Sequence, residues 1–254
     1  MDIYKNKCSF RVKGDYSEMW FPARFHDWES GTFHILEYYK NKTKGNIYID
    51  VGAWIGPTVL YAANIYKKVI AIEPDPVAIQ RLEENLSVNN YDNIVLIKKG
   101  LSDKNGKSSF GGNGELGNSE STLLVADKEY SSWENSVWAK EQRESNIIEI
   151  ETITIETLLL EQNISPSDIS LIKMDIEGGE LFVVSALETF LKTYKPVFYI
   201  SLHYCFLKIE HIVYIVKILF CIYENCYIFS DDGQKIKISI DDVLNSKLSE
   251  IVFE

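Results

Sequence analysis

Apolar and polar positions along the chain follow two periods, and the switches between them mark out the elements. Asn46–Val51 (NIYIDV) is a β-branched run that stops at Gly52, and the segment after Pro57 (TVLYAANIY) has helical spacing. Pro57 suits a first helical turn, where its missing N–H costs nothing. Lys68–Glu73 (KVIAIE) repeats the buried-strand pattern. Asp75, a natural N-cap, opens a helix with Ile79, Leu82 and Leu86 on one face that ends at Asn89-Asn90, and Asn93–Ile97 is a third strand. Later, Ile147–Ile155 alternates strictly and reads as a strand with one wet face. Asp168–Asp175 is a strand, Gly179–Lys192 a helix with Leu181, Val184, Leu187 and Leu191 inward, and Pro196–Leu202 a strand. Ile209–Tyr223 is a helix apolar nearly all round, and the tail from Cys226 predicts two strands joined at Asp232-Gly233.

Strands alternating with helices predict an α/β fold, a mostly parallel sheet with helices on both faces and an antiparallel hairpin strand at the C-terminus. Two stretches break the rhythm. Residues 1–45 are rich in aromatics (Trp20, Phe25 and Trp28 among them) and end in a helix from about Glu29 to Asn41. They read as a decoration on a domain spanning 46–254. Residues 103–145 are polar and glycine-rich, with Trp133 and Trp138, and read as a long loop of the kind used as a lid or binding loop. Aromatics from the two stretches could cover the open end of the sheet, an idea that deletion of residues 112–142 tests.

Composition narrows the function classes. Of 254 residues 46% are hydrophobic, ample for a core, and 26 basic against 37 acidic residues leave a net charge of −11. Phosphate neutralisation needs the opposite balance, so nucleic acid and anionic membrane surfaces are demoted as partners. Cys8, Cys205, Cys221 and Cys226 show no CxxC spacing and read as free thiols. The first 15 residues lack an apolar run, and the stretch Ile212–Tyr223 is too short to span a bilayer, so a cytoplasmic location is expected.

In an open parallel sheet, ligands bind at the carboxyl ends of the strands. The first strand ends in Asp50-Val51-Gly52-Ala53-Trp54-Ile55-Gly56, and Glu73 stands 21 residues beyond Gly52, placed to accept both hydroxyls of a ribose. A dinucleotide site wants GxGxxG facing a pyrophosphate, whereas this chain has GxxxG with Asp50 beside it. An acidic group there suits a cation, which favours S-adenosylmethionine over NAD. The next strand leaves through Lys173-Met174-Asp175-Ile176-Glu177-Gly178-Gly179-Glu180, a charge run that alternation aims toward the same end of the sheet.

The motifs IDVGAWIG, VIAIEPDP and IKMDIEGGE, in this order and spacing, closely resemble the FkbM-type methyltransferases, from about Asn46 to His203. The resemblance implies a class I methyltransferase (Rossmann-like) fold and an S-adenosylmethionine-dependent enzyme, mostly an O-methyltransferase of sugar and natural-product hydroxyls. It further implies that Asp50, Gly52, Ala53 and Gly56 form the methionine-side loop, that Glu73 holds the ribose, that the Gly100–Asp103 turn borders the adenine, and that KMDIEG faces the transferred methyl. The cofactor-binding set becomes Asp50, Gly52, Ala53, Trp54, Gly56, Glu73, Pro74, Leu101, Ser102 and Asp175. The family usually has Asn where Trp54 stands, which could narrow the pocket, and often a carboxylate where Ser201 stands before His203.

Methyl transfer to an alcohol needs a proton acceptor, and the candidates are Asp175, Glu177, Lys173 if desolvation lowers its pKa, and His203, which titrates near neutrality when unperturbed. Asp175, Glu177 and His203 could instead ligate Mg or Mn, although nothing in the spacing demands a metal. The expected partner is a small-molecule or glycan acceptor. The alternatives are a methyltransferase-like interaction module without catalysis and an NAD-dependent oxidoreductase.

Overall fold

A computed structural model describes residues 1–13, 18–112, 115–119, 121–124 and 147–254. The strands form an eight-stranded sheet whose spatial order is β13 (Lys235–Ile238), β12 (Cys226–Phe229), β14 (Glu250–Phe253), β11 (Val197–Ser201), β10 (Ile169–Met174), β3 (Ile47–Val51), β4 (Lys68–Ile72) and β5 (Ile94–Ile97). Its parallel part comprises β3, β4, β5, β10 and β11. The chain moves outward from β3 to β4 and β5, then returns to build on the other side of β3. Strand order therefore reverses between β3 and β10, which is where such sheets hold ligands.

Alternation along each strand divides the core between the two faces. Ile47, Ile49, Val51, Ile172 and Met174 meet the helices Ile155–Glu161, Glu180–Tyr194 and Ile209–Ile222. Tyr48, Val69, Ala71 and Leu171 face a second cluster, built by the Pro57–Ala62 helix and the N-terminal residues. Residues before 46 thus supply a whole layer: the hairpin β1 (Asp2–Lys5) and β2 (Cys8–Arg11), the helix Pro22–Asp27 and the helix Ser30–Tyr39. Lys5 is buried there and donates to the carbonyls of Phe25, His26 and Trp28. The period reading found the last of these helices but not the hairpin.

The expected long loop departs most from the structure. Within it β7 (Gly106–Gly112) and β8 (Ser121–Leu124) join β6 (Gly100–Leu101) and β9 (Ile148–Ile153) in a separate sheet of order β6-β9-β7-β8. A strand as glycine- and serine-rich as GKSSFGG carries no apolar alternation, so its pairing with β9 is invisible in sequence. Trp133, Trp138 and most of the proposed lid lie outside the described residues. The tail holds the expected hairpin, β12 (Cys226–Phe229) with β13 (Lys235–Ile238), and two further elements, the helix Ile240–Ser246 and β14 (Glu250–Phe253). β14 inserts antiparallel between β11 and β12. No helix among the described residues is long and apolar enough to cross a membrane.

Candidate functional site

A cavity of about 420 Å³ opens at the carboxyl ends of β3, β4, β10 and β11, the right size for a cofactor-sized ligand. One wall is the turn after β3. The Gly52 and Ala53 amides donate to the Ile72 carbonyl, and the Asp175 amide donates to Val51, which ties three strand ends together. Gly52 has φ +87°, and a Cβ there would lie 1.9 Å from the Asp175 carbonyl oxygen. Gly52→Ala is accordingly expected to destabilise the fold by about 2–3 kcal/mol or more, read from urea unfolding. A wild-type midpoint would show that this crossing relaxes freely.

Glu73 leaves β4 into the same wall. Its Oε2 accepts from the Trp54 amide at 2.7 Å and its Oε1 from the Asp75 amide at 2.9 Å. Each oxygen keeps a lone pair for a ligand. Burial raises this carboxyl, the two amides oppose the rise, and the balance is about 7. Asp75 caps the Pro76–Ser87 helix and also accepts from the Gly117 amide. The Gly117 carbonyl in turn receives the Trp54 indole N–H at 3.0 Å and Arg81. The 115–119 turn is thereby latched beside the cavity, where Asn118 and Ser119 join the lining. Trp54 is a wall of the cavity and does not fill it. Its φ of +46° lies in the left-handed region, which a bulky side chain rarely adopts, so the turn holds Trp54 in a strained backbone conformation.

The predicted cofactor residues divide by position. Gly52, Ala53, Trp54, Glu73, Pro74, Leu101 and Asp175 line the cavity; Asp50, Gly56 and Ser102 are not among its lining residues. Gly56, at φ +94°, is the N-cap of the Pro57–Ala62 helix and packs on Leu82, while Ser102 bonds Asp103. Asp50 is fully buried, because β3 and β10 set it beside Lys173 in register. Lys173 Nζ lies 3.4 Å from Asp50 and 3.0 Å from Asp175, and the Thr58 hydroxyl donates to Asp50. Burial alone would lower Lys173, but Asp175 and Asp50 hold it well above its ordinary value. The condition under which Lys173 could serve as a base, a desolvated neutral amine, is not met: it is a fixed cation.

The opposite end of the cavity is a network around His203. Its Nε2 stands 3.3 Å from both Asp175 Oδ1 and Glu177 Oε2, and its Nδ1–H donates to Glu180 Oε1 at 2.5 Å. Glu180 is wholly buried and is itself held by the Gly178 amide. Burial disfavours the charged ring, yet the bonds to Asp175 and Glu180 carry it up to about 11, far from the neutral titration expected of an unperturbed histidine. Burial would likewise raise Asp175, but Lys173 and His203 hold it well below the usual carboxylate range.

Two further carboxylates escaped sequence reasoning. Glu29 lines the cavity from the N-cap of the Ser30–Tyr39 helix, at φ +42°, and accepts from Thr32. Burial and the Asp175 charge push it up to about 8. Glu250 lines the cavity from β14, directly opposite Ser201 in register, so a neighbouring strand supplies a carboxylate next to the serine. The run EIVF could have signalled a strand, but no local signal places it beside β11.

A family model for the methyltransferase FkbM domain matches residues 50–227. Two solved structures overlap the chain. One is the crystal structure of methyltransferase FkbM from Methylobacillus flagellatus KT, 16% identical, with a TM-score of 0.42 over 82% of this chain and 43% of that one. The other is precorrin 8w decarboxylase from Methanobacterium thermoautotrophicum, 15% identical, with a TM-score of 0.39 over 95% of this chain and 90% of that one. This chain thus spans less than half the length of the first. No curated protein matches it.

Proposed function

The chain belongs to the methyltransferase FkbM family, and on that premise we propose that it is an S-adenosylmethionine-dependent O-methyltransferase acting on a hydroxyl of a sugar, glycan or small natural product. The observation that carries this reading is a single cavity with Glu73 and the Gly52–Trp54 turn at one end and Asp175, Glu177 and His203 at the other.

The residues present suit the donor. Glu73 would hold the ribose hydroxyls through the lone pairs its backbone bonds leave, Gly52 and Ala53 would face the methionine portion, and Pro74 and Leu101 would border the base. S-adenosylmethionine, when bound, supplies a methyl group already activated by its sulfonium sulfur. The surplus of carboxylates around the cavity favours a cationic occupant of this kind.

What the chain must add is alignment of the acceptor oxygen, worth roughly 7–11 kcal/mol of a barrier of this type, and removal of its proton, worth roughly 10²–10⁴-fold. Lys173 and His203 already carry protons, and Asp175 is too weak a base. Glu177 and Glu29 remain as proton acceptors; Glu29, raised to about 8, is the stronger base once ionised, so its contribution grows as pH rises through 8. The charge of −11 supports a small acceptor over a nucleic acid.

Calorimetric titration with S-adenosylmethionine and S-adenosylhomocysteine tests the reading. Micromolar binding of both is expected. A wild type that binds neither, once co-purified ligand is excluded by mass spectrometry, would overturn it.

A further inference from the structure

We propose that Asp175, Glu177 and His203 form a divalent-cation site of the Mg²⁺ or Mn²⁺ type. One ligand atom from each, Asp175 Oδ1, Glu177 Oε2 and His203 Nε2, lies within 4.8 Å of the others, and the nitrogen is 3.3 Å from either oxygen. Adjacent ligands about 2.1 Å from an octahedral ion stand about 3.0 Å apart, so small side-chain movements close this triad on one face of an ion. The other face opens into the cavity, where water or an acceptor oxygen would complete the shell. Two carboxylates with one imidazole are a donor set for Mg²⁺ or Mn²⁺ rather than for a thiolate-loving metal.

The surroundings hold His203 and Asp175 in place. Glu180 accepts the Nδ1–H of His203, which aims Nε2 at the two oxygens, the carboxylate–histidine arrangement that orients metal-binding imidazoles. Glu180 is fully buried and anchored by the Gly178 amide, so the ring cannot easily turn away. Lys173 occupies Asp175 Oδ2 at 3.0 Å and leaves Oδ1 for the triad. The ion takes the place of the Nε2 proton. Carboxylates also outnumber cations here: Glu29 and Glu250 line the same end of the cavity, and neither forms an ion pair among the described residues. A bound ion would polarise the acceptor hydroxyl and ease its deprotonation by Glu29. That use rests on the methyl-transfer reading, whereas the binding of the ion does not.

Mn²⁺ alone, titrated into the full chain with no methyl donor and followed by the loss of its free-ion electron paramagnetic resonance signal, tests the site. The expected result is one ion per chain, lost in His203→Gln and in Glu177→Gln, weakened about 10–100-fold in Glu180→Gln, and unchanged in Glu161→Gln at an exposed carboxylate. Melting curves check that each variant is folded. Should His203→Gln or Glu180→Gln fail to fold, the half-buried Glu177 position carries the comparison. Absence of binding up to millimolar Mn²⁺, or binding that Glu177→Gln leaves intact, would overturn the proposal. Binding of S-adenosylhomocysteine without Mn²⁺ would remove the ion and keep the methyl-donor reading; Mn²⁺ without S-adenosylhomocysteine would do the reverse.

Discussion

Lys173→Met is expected to destabilise the protein by about 3–5 kcal/mol, the largest effect of any single polar substitution at the site. Lys173 is 2% exposed, and its ammonium is shared between Asp50, which is entirely buried, and Asp175. Methionine matches the length of the stem but removes the charge, leaving Asp50 with no cation beside it in a low-dielectric interior and Asp175 with His203 alone. Asp50 must then find a proton or draw in water, and either costs folding free energy. The penalty belongs mainly to the orphaned Asp50 carboxylate rather than to the lysine itself. Lys173→Met combined with Asp50→Asn is therefore expected to be more stable than the sum of the two single changes allows. Urea unfolding of the four proteins measures this directly. Strict additivity, or a Lys173→Met variant as stable as the wild type, would show that Lys173 and Asp50 are not an energetic unit.

Glu73 carries the second large effect, this time on ligand affinity. Only the ionised carboxyl can accept both ribose hydroxyls, and burial holds its apo value at about 7. At pH 6 about one molecule in eleven is then ionised, and at pH 8 about ten in eleven. The raised value makes the neutral form the resting one below 7, so affinity for S-adenosylhomocysteine should rise by about tenfold from pH 6 to pH 8 and level off above. Glu73→Gln keeps the shape but loses the charge and sets an amide N–H₂ against one of the two backbone donors. It is expected to weaken binding by about 100-fold and to flatten the pH profile. Calorimetry at pH 6, 7 and 8 on both proteins separates the two consequences. A glutamine variant with wild-type affinity would remove Glu73 from the ribose site.

Much of the site was legible because its parts are local. Periods of two and near four locate β3, β4, β5, β10, β11 and the helices between them, since one face of each must be buried. Glycine at 52 and a carboxylate at 73 are set by a single turn and a single strand end, and so lie where the motif spacing puts them. The IKMDIEGGE run lies at the end of β10 for the same reason. A strand end fixes direction but not ionisation. Whether Lys173 is a base or a fixed cation depends on Asp50, 123 residues away, and that distance is bridged only when β3 and β10 pair in register. His203 likewise keeps its proton because Glu180 and Asp175 accept from it, and these lie on segments that a sequence reading can list but not bring together.

The residues that sequence missed are those placed by pairing across distance. Glu250 reaches the cavity because β14 inserts beside β11, and Glu29 because the N-terminal layer folds over the face that Tyr48 and Leu171 present. Gly106–Gly112 becomes a strand only through its partner β9. By itself the sequence determined the alternating architecture, the end of the sheet where the cavity opens, and the family. Tertiary structure decided which carboxylates share that end and which groups hold protons, because burial and charge proximity are properties of the assembled space and not of the chain's order.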